Sequence, residues 1–412
     1  MKKTLPCRFC GSPLEHTLVD LGVSPLANSY LTEERLNQME PFFPLRAFVC
    51  GSCFLVQVPA YESPERIFGE YAYFSSYSES WLDHARNYTE MMMERYPIGV
   101  GGLVIEIASN DGYLLRNFRE QGVNVLGIEP AKNVASAALQ AGIPTIVEFF
   151  GTELANRLVR EGKKAGLLIG NNVLAHVPGL NDFVAGMKVV LAPSGIITME
   201  FPHLMRLIDE NQFDTIYHEH FSYFSLITAE KVFASHGLVL FDVEELPTHG
   251  GSLRIYARNE DDTSKPVNER VRDLMDRERA YGLKDLDSYR SYGSRVREKK
   301  RDILDFLIRL KREGKTVVGY GAPAKGNTLL NYCGIRTDFI EYTVDRNPHK
   351  QGCYLPGSHI PIFSPEQVQE TRPDLLLILP WNLKEEIMEQ MGHIRGWGGR
   401  FAVLIPEIEV FP

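Results

Sequence analysis

The chain has 412 residues, 24% of them charged and 44% hydrophobic, and 44 basic against 53 acidic side chains give a net charge of −9. That length accommodates two or three domains with sizeable cores, and the acidic balance argues against a nucleic-acid partner, whose phosphates require clustered Lys and Arg. No 18-residue apolar run occurs, and Met1-Lys2-Lys3-Thr4-Leu5-Pro6-Cys7 lacks the apolar core of a signal peptide, so a cytoplasmic protein with no membrane partner is expected.

Four of the six cysteines fall into two pairs, Cys7-Arg8-Phe9-Cys10 and Cys50-Gly51-Ser52-Cys53. Each pair sets two thiolates about one tight turn apart, so Cys7, Cys10, Cys50 and Cys53 can close a tetrahedron around zinc. Four sulfur ligands leave no open coordination position, and the expected ion is therefore structural. The 39 residues between the pairs exceed the usual spacing of about 15–20. A zinc module is expected over residues 1–70.

After a tyrosine-rich segment, Glu70-Tyr71-Ala72-Tyr73-Phe74-Ser75-Ser76-Tyr77, a helical pattern runs to about Tyr96. Gly102–Ala108 then reads as a buried parallel strand, Ser109-Asn110-Asp111-Gly112 as a turn, Tyr113–Gln121 as a helix, and Val123–Ile128 as a second strand ending in Glu129-Pro130. This is a βαβ unit whose ligand crevice lies at the carboxyl ends of its strands. One glycine where a dinucleotide turn needs three makes pyrophosphate a poor ligand, and Glu106 suits a cation better than a phosphate. Glu129 is placed to accept two ribose hydroxyls. An acidic first loop followed by a second acid resembles S-adenosylmethionine-dependent methyltransferases. Strands at 166–170, ending in Asn171-Asn172, and at 195–200 continue the order, and 239–243 with 252–257 read as the closing antiparallel hairpin. Between the fifth strand and the next helix lies Tyr217-His218-Glu219-His220, and His176 follows the fourth strand. His218 and His220, two apart on an extended segment, face opposite ways, which disfavours a metal pair.

Residues 261–312 are strongly charged, with apolar residues at helical spacing. They lead to a second βαβ pattern: a strand at 316–321, a helix at 325–332 and a strand ending in Asp345. Gly319, Gly321 and an acid 24 residues after Gly321 keep a nicotinamide-dependent oxidoreductase open as an alternative, with a non-catalytic nucleotide-sugar-binding protein as another.

Taken in this order, the paired Cys knuckles, Glu70–Tyr77, Glu106–Gly112, Asn171–His176, Tyr217–His220 and Gly319–Gly326 resemble, over essentially the whole chain, the sugar C-methyltransferases that methylate carbon 3 of nucleotide-linked 4-keto-deoxyhexoses. The resemblance implies an α/β protein of three parts: the zinc module, a Rossmann-like methyltransferase domain over 71–260, and a C-terminal doubly wound α/β domain over 261–412 that holds a dTDP-sugar. It implies His220 as the base at carbon 3, with Glu219, Tyr217, His176 and Tyr71 around it. S-adenosylmethionine falls to Glu106, Ala108, Asn110, Gly112, Tyr113, Leu114, Glu129, Pro130, Asn171 and Asn172. The sugar nucleotide falls to Tyr73, Tyr77, Tyr320, Gly321, Ala322, Lys325 and Asn327, with His349 and Lys350 as further contacts. A monomer is the family expectation.

Overall fold

The computed structural model describes residues 5–69, 74–96, 98 and 102–412. In the N-terminal part, strands β1 (His16–Ser24), β2 (Phe43–Val49) and β3 (Val56–Gln57) form an antiparallel sheet. Its fourth strand comes from far along the chain and is described below.

The middle sheet is built from β4 (Leu103–Ile107), β5 (Asn124–Ile128), β6 (Thr145–Ile146), β7 (Ala165–Asn171) and β8 (Leu191–Pro202), all mutually parallel. Residues 104–107 of β4 are buried, as a strand covered by helices on both faces must be. After β8 the chain makes the two-residue strand β9 (Ser222–Tyr223), which leaves this sheet and pairs antiparallel with β3. β10 (Leu238–Leu246) and β11 (Ser252–Asn259) then return as a hairpin, with β11 antiparallel to β8. The order is β10-β11-β8-β7-β4-β5-β6. Strand progression reverses between β4 and β7, and there the loops at the carboxyl ends diverge to leave a crevice. The short edge strand β6 was not anticipated from the sequence.

The C-terminal part carries β12 (Val317–Tyr320), β13 (Thr343–Val344), β14 (Ile362–Phe363), β15 (Leu375–Ile378), β16 (Arg400–Val403) and β17 (Glu409–Phe411), in the order β14-β13-β12-β15-β16-β17. All are parallel except β17, and a second reversal falls between β12 and β15. The charged stretch forms helices Glu269–Tyr281, Leu286–Arg290 and Tyr292–Arg312; the last buries Val296, Ile303, Phe306 and Leu307 on one face. The first of these packs on β10 and on the helix Leu226–Ala234, so residues assigned to the C-terminal domain by sequence sit against the middle sheet.

Burial divides the molecule differently from the chain. One continuous core joins Leu18, Leu45 and Ala47 of the N-terminal sheet to Leu207 and Phe213 and to Val317, Leu376 and Phe401 of the last sheet. A second core packs Cys7, Cys50 and Leu55 with one face of the middle sheet. The helix Glu79–Arg95 covers the other face through Ala85, Tyr88 and Met92. Among the described residues no helix is long and apolar enough to cross a membrane.

Candidate active site

The four cysteines meet as expected. Cys7 Sγ lies 3.6 Å from Cys53 Sγ, Cys10 Sγ lies 3.5 Å from Cys50 Sγ, and all four sulfurs lie within 4.8 Å of one another. Tetrahedral zinc with bonds of about 2.3 Å needs sulfur separations of about 3.8 Å, so the cluster fits that ion. The two knuckles close alike: Gly11 N donates to Cys7 O, and Phe54 N to Cys50 O. Gly11 takes the left-handed conformation that the turn needs, and Phe54 takes it without that freedom, at φ 65°. Gln57 Nε2 donates to Cys7 Sγ at 3.1 Å. Among the described residues this is the one cluster of His, Cys, Asp and Glu suited to a metal.

A cleft of about 520 Å³ opens where the carboxyl ends of β4, β5 and β7 meet the turn before helix Ala324–Cys333. On the middle-sheet side it is lined by Ala108, Asn110, Tyr113, Glu129, Pro130, Asn171 and Asn172. The turn after β4 threads left-handed conformations at Ala108 (φ 55°), Asn110 (φ 51°) and Gly112 (φ 79°), and a Cβ on Gly112 would meet Ile143 at 2.8 Å. Glu129 Oε2 accepts from Asn110 N and its Oε1 from Ala131 N, both at 2.9 Å. A carboxylate has about four acceptor sites, so two hydroxyls can still bind.

Glu106 is buried behind this turn, its carboxyl held well above the usual range by burial and then by Asp111 and Glu129. Glu106 Oε2, Asn171 Oδ1 and Nδ2, and Asn172 Oδ1 have no hydrogen-bond partner among the described residues. Buried polar atoms left unpaired cost about 1–3 kcal/mol each. A cationic ligand with hydroxyls and amino donors would satisfy them, so this wall fits S-adenosylmethionine. Leu114 is fully buried in the core beneath and presents no side chain to the cleft. Asn110 and Asp111 also hold the preceding segment: Ser75 N donates to Asn110 Oδ1 at 2.9 Å and Ser76 N to Asp111 Oδ2 at 3.1 Å. Tyr71 and Tyr73 lie outside the described residues, as does the side chain of Tyr77.

Across the cleft stand His176, Tyr217, Glu219 and His220. Their loop is tied at its end, because Phe221 N donates to Ala175 O and Val58 N to Phe221 O, immediately before β9 joins the N-terminal sheet. His220 Nδ1 is 3.0 Å from Thr215 O, which can only accept; Nδ1 therefore carries the proton, and Nε2 accepts from the Tyr217 hydroxyl at 2.8 Å. Burial and neighbouring His176 push the His220 pKa well below 6.5, and burial lowers His176 to about 4. The two rings meet edge to face at 4.7 Å. His218 turns away to Pro44 O at 3.2 Å. Glu219 is pushed up to about 7 by burial, against hydrogen bonds from Asn28 and the charge of Lys350.

The C-terminal part contributes Pro323, Ala324, Lys325 and Lys350 to the same cleft. Lys325 Nζ is 2.6 Å from Asn382 Oδ1 and 4.4 Å from the Trp381 ring centre, and burial lowers it to about 8 against the pull of Asp214. Tyr320, Gly321 and Ala322 stand behind the wall: Tyr320 Oη bonds Gln390 Oε1, Ala322 N donates to Asp345 Oδ2, and a Cβ on Gly321 would meet Pro380 at 2.6 Å. Asn327 is turned from the cleft, donating to Ala27 O at 2.6 Å. His349 stacks on Phe74 with ring centres 5.7 Å apart.

Among the cleft residues that sequence reasoning missed are Asn28, Trp81 and His249. His249 sits at φ 55° in the hairpin connection and bonds Asn172 Nδ2 at 2.8 Å. The adjacent Gly250-Gly251 pair was its available signal.

Three family models match the chain: "Putative zinc binding domain" over 7–68, "Methyltransferase domain" over 83–243 and "C-methyltransferase C-terminal domain" over 247–406. The chain is 38% identical over 404 residues to C-methyltransferase NovU of Streptomyces niveus, covering 98% of this chain and 96% of that protein. Among solved structures, the magnesium protoporphyrin IX methyltransferase ChlM of Synechocystis PCC 6803 with bound SAH is 14% identical, with a TM-score of 0.34 over 44% of this chain and 83% of that one. The PH0226 protein of Pyrococcus horikoshii OT3 is 17% identical, with a TM-score of 0.37 over 48% and 99%.

Proposed function

The chain belongs to the C-methyltransferase family and is an S-adenosylmethionine-dependent methyltransferase with a structural zinc site, and from that premise we propose that it methylates carbon 3 of a dTDP-linked 4-keto-deoxyhexose through an enolate formed by His220. The observation that carries this reading is the state of His220, neutral and with Nε2 as its basic nitrogen, in the cleft that also holds Ala108, Asn110 and Glu129. A carbon beside a ketone becomes a nucleophile only on losing its proton, so a neutral base and donors for the enolate oxygen are the two requirements. Burial keeps His220 able to accept a proton throughout the neutral range.

The substrate displaces the Tyr217 hydroxyl from Nε2, which frees that O–H to donate to the developing enolate oxygen. Lys325 places positive charge on the same wall, and the start of helix Ala324–Cys333 presents backbone donors toward an anionic diphosphate. Glu129 holds the ribose of the cofactor, and Glu106 with Asn171 its methionine end. When bound, S-adenosylmethionine supplies the electrophilic methyl group.

The test is incubation with methyl-labelled S-adenosylmethionine and a panel of dTDP- and GDP-linked 4-keto-deoxysugars in deuterated water. Label should enter one dTDP-sugar, with deuterium exchange at carbon 3 that depends on His220. Label entering a sugar with full exchange in His220→Asn would remove His220 as the base, and no label across the panel would overturn the substrate assignment.

A further inference from the structure

A short N-terminal segment borders the active-site cleft and is fastened to the C-terminal part before and after Asn28. Ala27 O accepts from Asn327 Nδ2 at 2.6 Å, Tyr30 Oη donates to Ala322 O at 2.6 Å, and Leu31 N and O pair with Tyr354 at 3.0 and 2.8 Å. Between these anchors Asn28 faces the cleft, and its Nδ2 lies 2.8 Å from each carboxylate oxygen of Glu219. Among the described residues Asn28 is the only side chain that hydrogen-bonds this carboxylate, which is 2% exposed. The Asn28 main chain bonds the same carboxylate, so this one residue holds it through side chain and backbone together.

We propose that Asn28 is a positioning residue of the active site, which fixes the Glu219 carboxylate, ionised, toward the substrate. The proposal rests on the reading of Glu219 as a substrate-facing group. Other groups face Glu219 from each surrounding element. Lys350, after β13, holds Ala322 O at 3.0 Å and lies 3.6 Å from Asp345. His176, after β7, bonds the Glu219 backbone, and Tyr217 and His220 belong to its own loop. Lys350 favours the carboxylate through its charge, and the amide of Asn28 supplies a directional contact. Burial raises the group against the hydrogen bonds of Asn28 and the charge of Lys350, and with these neighbours in place it is held at about 7.

The test titrates Glu219 in the ligand-free full chain carrying carboxyl-¹³C glutamate, with the signal identified by its disappearance in Glu219→Gln. Removing a donor to the charged form raises a carboxyl pKa, so Asn28→Ala should titrate about one pH unit or more above the wild type. Asn28→Asp, of nearly the same shape, should move it further and serves where Asn28→Ala fails to fold. In methyl transfer the acid limb should move the same way, with kcat lowered and the KM for S-adenosylmethionine unchanged. An unmoved Glu219 titration in the folded variants overturns the proposal, as does a moved titration with an unmoved acid limb. The titration needs no sugar, so failure of the substrate assignment would show separately, as a wild-type protein that methylates none of the panel.

Discussion

Two strand-to-helix turns face each other across the cleft, and their frameworks are nearly the same. In the turn after β4, the acid ending the next strand, Glu129, accepts from Asn110 N and Ala131 N. In the turn after β12, Asp345 accepts from Ala322 N and Asn347 N. The difference lies in what stands over them. Glu129 lines the cleft, with Asn171 beyond it lacking a side-chain hydrogen-bond partner among the described residues, whereas the second turn is covered by Tyr30 and Lys350, both bonded to Ala322 O. A glycine turn with a following acid thus marks a way of folding a βαβ unit; which polar atoms are left for a ligand is decided by distant chain. The nicotinamide alternative drew on the covered turn.

The sharpest cut through the comparison is at the open side. His220→Asn should lower methyl transfer by about 10²–10⁴-fold while calorimetry shows S-adenosylmethionine binding unchanged. Glu129→Ala should weaken S-adenosylmethionine by about 10–100-fold, from lost hydroxyl acceptors, and Asp345→Ala should leave that affinity intact. Equal losses in the two variants would erase the distinction between the turns.

The open side should also dominate acid lability. Burial lowers His176 and His249 to about 4, so each contributes stability that is present above its unfolded pKa of about 6.5 and lost as pH falls toward 4. The sum is on the order of 3 kcal/mol per histidine. Glu219, raised by burial to about 7, works in the other sense, favouring the fold as pH drops through its titration. Denaturation at pH 7, 5.5 and 4 should show His176→Gln losing less stability than the wild type as the pH falls. On the covered side, Asp345→Ala should cost about 1–3 kcal/mol by stranding the N–H of Ala322 and Asn347, read as a drop in Tm. The smallest effect belongs to Tyr30→Phe, about 0.5–1.5 kcal/mol, with a raised KM for the sugar and no change in cofactor affinity.

Local pattern carried much of this architecture. The β4 turn, each Cys knuckle and the Tyr217–His220 loop are defined within a dozen residues, and the hairpin of β10 and β11 within about two dozen, and spacing reveals them. Asn28 could not be read that way. Its neighbours Ala27 and Tyr30 carry no motif, and its role arises only because Asn327 and Ala322, some 300 positions on, receive the segment. Asn327 was legible as important but not in its direction, for its amide faces Ala27 and not the ligand. β9 escaped notice for a similar reason: two residues give no periodicity, and the strand exists because β3 offers it an edge.

The core that joins β1 and β2 to β12, β15 and β16 has a consequence for how such a protein is made and modified. Leu18, Leu45 and Ala47 emerge from the ribosome hundreds of residues before helices Tyr292–Arg312 and Ala324–Cys333 arrive to pack on β1. The first sheet must therefore wait, partly uncovered, while the middle of the chain is synthesised. Exchanging one end of the chain with that of a relative would break this core down the middle, so a chimera has to carry both ends from the same parent.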